Sequence, residues 1–201
     1  MHDKTTPKKK IRCLLVIDVQ GDFVYGSLGS EAAKAIVPKV IEKVKNFKGD
    51  YIIFTRDTHH NDYLYTKEGE KLPVEHCIRD TEGWKLVKPL REWIDSNHFK
   101  GGIPVGVIDK PTFGSVPMND GTTNVVDRVK RIMQEYEADG IDIEICGLDS
   151  DICVLSNALI LKAFFYDCAD ITVDSSCCAG VTPEKHEAAL EVMRSCQINV
   201  I

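Results

Sequence analysis

Cys153 lies where a cysteine can act as a nucleophile. It belongs to the stretch Gly147-Leu-Asp-Ser-Asp-Ile-Cys-Val-Leu-Ser-Asn157. The alternating run Ile141-Asp-Ile-Glu-Ile-Cys146 before it predicts a strand, and the mostly apolar segment from Cys153 to Phe165 predicts a buried helix. Gly147 breaks the strand, and Ser150 or Asp151 can cap the helix. Cys153 then falls in the first helical turn, where unpaired backbone N–H groups and the positive end of the dipole favour a thiolate. A cysteine in an apolar setting is by default a buried structural thiol. What the other strand ends carry reverses that default.

Ligands of open parallel sheets bind beyond the carboxyl ends of the strands. The first apolar run ends in Asp18, followed by Gln20, Asp22 and Phe23. The second ends in Arg56-Asp57-Thr-His59, the third in Asp109-Lys110-Pro-Thr-Phe-Gly114, and the fourth leads to Asp149, Asp151 and Cys153. Singly, each is a surface lysine or a capping aspartate. Together they supply the parts of an acyl-transfer site. Cys153 is the nucleophile, Asp18 accepts its proton and returns it to a leaving amine, and Lys110 supplies positive charge. Burial should raise the Asp18 pKa for that role. Backbone N–H groups of the 149–153 turn can hold an oxyanion.

Asp57-x-His59, with His76 further on, offers one oxygen and two nitrogen ligands, a set suited to zinc, manganese or iron. His60 is expected to point away from His59. His98 and His186 are expected as surface or helix residues.

The elements that must position these side chains alternate along the chain. Strands are predicted at Arg12 to Asp18, Tyr51 to Thr55, Ile103 to Ile108, Ile141 to Cys146, Ile171 to Val173 and Ile198 to Ile201. Helices are predicted at Glu31 to Phe47, Trp84 to Ile94, Thr123 to Tyr136 and Cys153 to Phe165. A last helix, opened by Thr182-Pro183, runs to Ser195. The pattern implies a three-layer α/β/α, Rossmann-like fold on a six-stranded parallel sheet with right-handed crossovers. The stretch from Arg56 to Thr81 is too long for an ordinary connection, and such loops are usually functional.

With 201 residues, the chain fits a single domain over residues 11–201 behind a polar tail over 1–10 that contains Lys8-Lys-Lys10. The net charge of −6 argues against a general nucleic-acid surface. No signal peptide and no membrane span are expected. The eight cysteines are scattered, so they read as reduced thiols of a cytoplasmic protein rather than a disulfide framework. Cys177-Cys178 can be redox-active or bind metal, but a loop position with reduced thiols is the expectation.

The chain resembles the isochorismatase-like cysteine hydrolases, and within them the nicotinamidase/pyrazinamidase branch. Four ordered motifs carry the resemblance, which runs from about residue 12 to residue 201. They are Asp18-Val-Gln-Gly-Asp-Phe23, Thr55-Arg-Asp-Thr-His59, Lys110-Pro-Thr-Phe-Gly-Ser115 and Gly147-Leu-Asp-Ser-Asp-Ile-Cys-Val154. The resemblance implies a triad of Asp18, Lys110 and Cys153, with the backbone N–H groups of Asp149 and Cys153 facing the oxyanion and a cis peptide before Asp149. It implies a metal site on Asp57, His59 and His76, with Glu68, or else Glu70, joining them; by its ligand types the site is expected to take a divalent metal, zinc first and manganese or iron next. Phe23 would wall the substrate ring, and the metal would bind the pyridine nitrogen. Leu72, Asp149 and Asp80 depart from the residues usual in that branch, which bears on pocket shape.

The function so implied is hydrolysis of nicotinamide to nicotinate and ammonia through a cysteine thioester, in NAD salvage. The partners expected are a small amide substrate and further copies of the chain in a homo-oligomer. The alternative keeps the fold and the cysteine but takes another small amide, a carbamoyl or ureido compound; an acyclic amide has no obvious need of the metal ligands. Isochorismate hydrolysis needs neither metal nor cysteine. A non-catalytic binding protein has no need of Asp18, Lys110 and Cys153 together.

Overall fold

The computed structural model describes residues 9–118 and 121–201. The expected tail lies outside these residues as far as residue 8, and Lys10 opens the first strand. Six strands, β1 (Lys10–Ile17), β2 (Tyr51–Asp57), β3 (Val105–Lys110), β4 (Gly140–Leu148), β5 (Ala169–Ala179) and β6 (Asn199–Val200), form one sheet in the order β3-β2-β1-β4-β5-β6. Every pairing is parallel. Helices α1 (Gly21–Val24), α2 (Glu31–Asn46), α3 (Lys88–Phe99), α4 (Val125–Glu135), α5 (Leu155–Phe164) and α6 (Pro183–Ser195) make the connections; the alternation predicts all but the short α1.

Burial explains the strand compositions. β1 is central and covered on both faces, so Leu14, Leu15, Val16 and Ile17 are all fully buried and the strand reads as an unbroken apolar run. β4 alternates instead because its polar positions meet lysines. Asp142 accepts from Lys10 at 3.0 Å, and Glu144 pairs with Lys43 of α2, which also reaches Asp174 at 2.6 Å. α4 buries Val125, Val126, Val129 and Ile132 along one face, and the Asn124 side chain caps it by accepting from the Asp127 N–H.

Two expectations need correction. The helix predicted from Trp84 begins only at Lys88. Residues 82–84 form a turn, and Leu86 and Val87 then run against the residues just past β1, Leu86 bridging Gln20 and Val87 N–H donating to Val19 O at 3.0 Å, before Pro89 favours helix initiation. The strand expected over 171–173 runs on to Ala179. Its register against β4 jumps from Ile145↔Val173 to Gly147↔Cys178, a bulge that lets the strand continue past Asp174. Cys177 and Cys178 therefore lie buried in β5, not in a loop, and both are free thiols.

Candidate active site

The sheet order places the topological switch between β1 and β4, and the sequence-predicted residues gather at the carboxyl edge around it. Register does most of the positioning. Asp57 pairs with Lys110 across β2 and β3, and Ile17 pairs with Gly147 across β1 and β4. Asp18, directly after β1, therefore faces the turn that follows Gly147. That glycine has φ +124°, and a Cβ there would stand 2.1 Å from Ile17 O, so backbone conformation and close approach both require glycine.

Lys110 is the centre of the first group. Its Nζ lies 2.6 Å from Asp18 Oδ2, 3.4 Å from Cys153 Sγ and 3.5 Å from Asp57 Oδ1. Nζ also donates to Thr112 O at 3.1 Å, so the buried ammonium is shared among a thiol, a carbonyl and two carboxylates. Asp18 Oδ1 accepts from Thr55 Oγ1 at 2.6 Å. Asp18, Lys110 and Cys153 are 0%, 1% and 4% exposed, so almost no water screens their charges. Burying such a charge cluster opposes folding unless it is paired, and sets of this kind mark functional sites.

The electrostatics revise one expectation. Burial pushes the Cys153 thiol well above the usual range, Lys110 pulls it down, and the Asp18 carboxylate pushes it up again. Burial thus opposes the thiolate that the helix-start position favours, and a neighbouring proton acceptor would offset that cost. Burial raises the Asp18 pKa, against the lowering effect of Lys110. Burial also works against the charge on Lys110, but Asp18, Cys153 and Asp57 outweigh it and keep the ammonium protonated.

The turn carrying Cys153 is a π-helical turn over Ser150–Val154 that runs into α5. The peptide bond between Leu148 and Asp149 is cis, as the resemblance implies. Burial, and the charges of Asp151 and Asp18, raise the Asp149 carboxyl to about 7.

The second group is Asp57, His59, Glu68 and His76, whose candidate ligand atoms all lie within 4.8 Å of one another. Asp57 Oδ2 is 3.0 Å from His59 Nε2 and 3.5 Å from His76 Nε2, and Glu68 Oε1 is 3.5 Å and 3.7 Å from the same two nitrogens. His76 Nδ1 is held by Val74 O at 2.8 Å, which leaves Nε2 turned to the cluster. Two imidazole nitrogens and two carboxylates converging in this way fit a divalent metal. Glu68, not Glu70, makes the approach; Glu70 faces Lys67 on the surface. Burial opposes the Asp57 carboxylate, but Lys110, His59 and His76 outweigh it and hold its pKa below the usual range. The Phe23 ring lies 5.6 Å from that of His76, while His60 and His98 are exposed.

Several supporting residues have no role assigned from the sequence. Gln20 is fully buried and ties Asp57 from both sides: its Oε1 accepts from Asp57 N–H at 2.7 Å, and its Nε2 donates to Asp57 O at 2.8 Å and to Trp84 O at 2.7 Å. Tyr63 packs its ring 4.6 Å from His59 and 4.9 Å from His76. Asn157 straps the Lys110 loop to the cysteine turn, accepting from Ser115 N–H at 3.0 Å and donating to Phe113 O at 3.0 Å and Cys153 O at 2.8 Å. A polar Gln and Asn inside apolar-flanked motifs were the available signal. His186, expected as an unremarkable helix residue, is half-buried and bonded to Ser150.

Comparison with known proteins gives a consistent picture. The family model for the isochorismatase domain matches residues 12–201. A nicotinamidase of Schizosaccharomyces pombe is 27% identical, the match covering 94% of this chain and 91% of that one. A nicotinamidase/pyrazinamidase of Bacillus subtilis superposes with a TM-score of 0.74 at 25% identity, over 94% of this chain and 98% of that one. A pyrazinamidase of Pyrococcus horikoshii, solved in complex with zinc, superposes with a TM-score of 0.69 at 26% identity, over the same 94% and 98%.

Proposed function

The chain belongs to the isochorismatase family, and on that footing we propose that it is a nicotinamidase, an amidohydrolase that converts nicotinamide and water into nicotinate and ammonia. The observation that carries the reading is the position of Lys110 Nζ, 2.6 Å from a buried carboxylate and 3.4 Å from a buried thiol, beside a four-residue ligand cluster.

In the proposed reaction Asp18 takes the Cys153 proton as Sγ attacks the carboxamide carbon, forming the C–S bond. Lys110 stays protonated and offsets the negative charge shared by Sγ and Asp18. The Asp149 and Cys153 N–H groups hold the oxyanion. Asp18 then gives its proton to the leaving nitrogen, the C–N bond breaks, and ammonia departs from a thioester. Water attacks the thioester with Asp18 again as base, and the C–S bond breaks to release nicotinate and the thiol. The raised Asp18 pKa suits a group that must both accept and return a proton near neutrality.

Asp57, His59, Glu68 and His76 would hold the divalent metal, for which zinc is the proposal, supported by the zinc complex of the Pyrococcus relative. Such an ion would supply a Lewis-acid contact for a pyridine nitrogen. Phe23, packed against His76, walls the ring from the side. The proposed setting is NAD salvage in the cytoplasm, carried out by a homo-oligomer. Eight free cysteines agree with a reducing compartment, and no helix among the described residues is long and apolar enough to cross a membrane.

Ammonia release from nicotinamide, benzamide and a panel of ureido compounds tests the reading. Nicotinamide is expected to be much the best substrate. Faster release from a ureido compound would move the chain to the other amide class.

A further inference from the structure

The cysteine turn is held from outside the triad. Ser150 is fully buried, and its Oγ lies 2.8 Å from Nδ1 of His186 in the first turn of α6. Asp151 Oδ1 accepts from the Val181 N–H at 2.9 Å. Between these contacts Gly180 packs so tightly that a Cβ would stand 2.6 Å from Asp151 Oδ1 and 2.8 Å from Ser150 Oγ. Three neighbouring attachments thus fasten the turn to the junction of β5 and α6. The junction is itself stiff: the Thr182 side chain caps α6, Pro183 opens it, and His186 N–H donates to Thr182 O at 2.9 Å.

The turn needs that support. It closes through the wide bond from Val154 N–H to Asp149 O at 3.0 Å, and π-helical turns are rarer than α-helical ones and occur mostly as single turns at functional sites. Sγ must nevertheless stay 3.4 Å from Lys110 Nζ, and a displacement near 1 Å in such a site can cost about 100-fold in rate.

We propose that His186 is a positioning residue for the nucleophile, acting through Ser150 to hold the cysteine turn against the β5–α6 junction. A serine hydroxyl can donate to a neutral Nδ1 or accept from a protonated one, so the bond does not depend on the charge of the ring. The proposal deepens the amidase reading and rests on it for its kinetic readout alone.

The experiment compares wild type, His186→Ala, His186→Asn, Ser150→Ala and the His186→Ala/Ser150→Ala double variant. It measures kcat and KM for nicotinamide, and the pH profile of iodoacetamide labelling followed at Cys153 by mass spectrometry. His186→Ala is expected to lower kcat by about 10-fold or more with KM little changed. It should also raise the pH midpoint of labelling, because Sγ moves away from the ammonium. His186→Asn, which sets an amide where Nδ1 stood, should restore most of both. The double variant should be no worse than the poorer single one, because both remove the same link. Additive losses, an unchanged labelling midpoint in both single alanine variants, or an asparagine variant as poor as alanine would overturn the proposal. If His186→Ala does not fold, Ser150→Ala and His186→Asn decide it by the same readouts. A wild type inactive on nicotinamide would sink the amidase reading and leave the labelling profile to judge the clamp.

Discussion

The two halves of the site are built differently. Asp18, Lys110 and Cys153 come from the ends of β1 and β3 and from the turn after β4, so the register of a buried parallel sheet sets their spacing. Asp57 alone of the ligand cluster sits on a strand; His59, Glu68 and His76 come from the long stretch between β2 and α3. Side-chain ties hold that stretch: Gln20 on Asp57, Tyr63 OH on Leu72 O at 2.9 Å, and Asp22 Oδ2 accepting from Cys77 N–H at 2.8 Å. Lys110, 3.5 Å from Asp57 Oδ1, joins the halves electrostatically. In the proposed reaction the reacting atoms tolerate little displacement, which suits strand ends, whereas a cluster proposed to hold the ring can be carried by a loop and still be held by a few hydrogen bonds.

The largest break in that comparison is loss of the nucleophile. Cys153→Ala should lower kcat/KM by at least about 10⁴-fold with the fold intact by circular dichroism, since nucleophile knockouts remove nearly all covalent catalysis. Full activity in that variant would remove the thioester route. In wild type, mass spectrometry should trap an acyl adduct on Cys153.

Next comes loss of the loop half alone. Chelation, or His59→Ala, should lower kcat/KM for nicotinamide by about 100-fold by freeing the ring. Iodoacetamide labelling of Cys153 should barely change, and benzamide, with no ring nitrogen, should start poor and lose little more. Equal losses on both substrates would mean that the two halves act as one unit.

Gln20→Ala tests the ties rather than the ligands. It leaves the buried Asp57 N–H and Trp84 O without a partner, and should weaken metal binding by about 10- to 100-fold, as loss of ligand-orienting groups does. Metal titration followed by calorimetry reads this directly, and an unchanged affinity would show that the loop holds itself.

The smallest effect sharpens the strand half. In the proposed reaction Asp18 accepts a proton as a carboxylate, and its pKa is raised, so kcat/KM should fall with decreasing pH at a limb above the ordinary aspartate range. Thr55 Oγ1 donates to that carboxylate and favours its charged form. Thr55→Val should therefore move the acid limb up by about one pH unit, the equivalent of one hydrogen bond to a charged group. A limb that stays in place or moves down would show that Asp18 does not set it.

How far the site was legible follows the same division. Strand periodicity located Asp18, Lys110 and Cys153, because a residue ending an apolar run in a parallel sheet must face the carboxyl edge. The Asp-x-His pattern located Asp57 and His59 for the same reason. His76 needed the loop histidine itself, and the choice between Glu68 and Glu70 needed the fold of residues 63–76, where local spacing carries no period. Gln20 and Asn157 have no role legible in the sequence because a buried amide has the same one-letter identity as a solvated one; only its partners distinguish it. The shifted start of α3 was hidden because Trp84 and Leu86 are apolar like the helix that follows, yet tertiary contacts hold Trp84 in a turn and Leu86 in an extended bridge to Gln20.

By itself the sequence determined the six-stranded α/β/α architecture and the chemical types at each strand end. Those depend on hydrophobic period and on glycine and proline at the boundaries, which act locally. Tertiary structure alone decided the charge states and the supports. Burial, against the pull of Lys110, pushes the Cys153 thiol above its usual range, and burial is a property of the packed whole. The clasp between Ser150 and His186 spans 36 residues and exists only once β5 and α6 have closed over the turn.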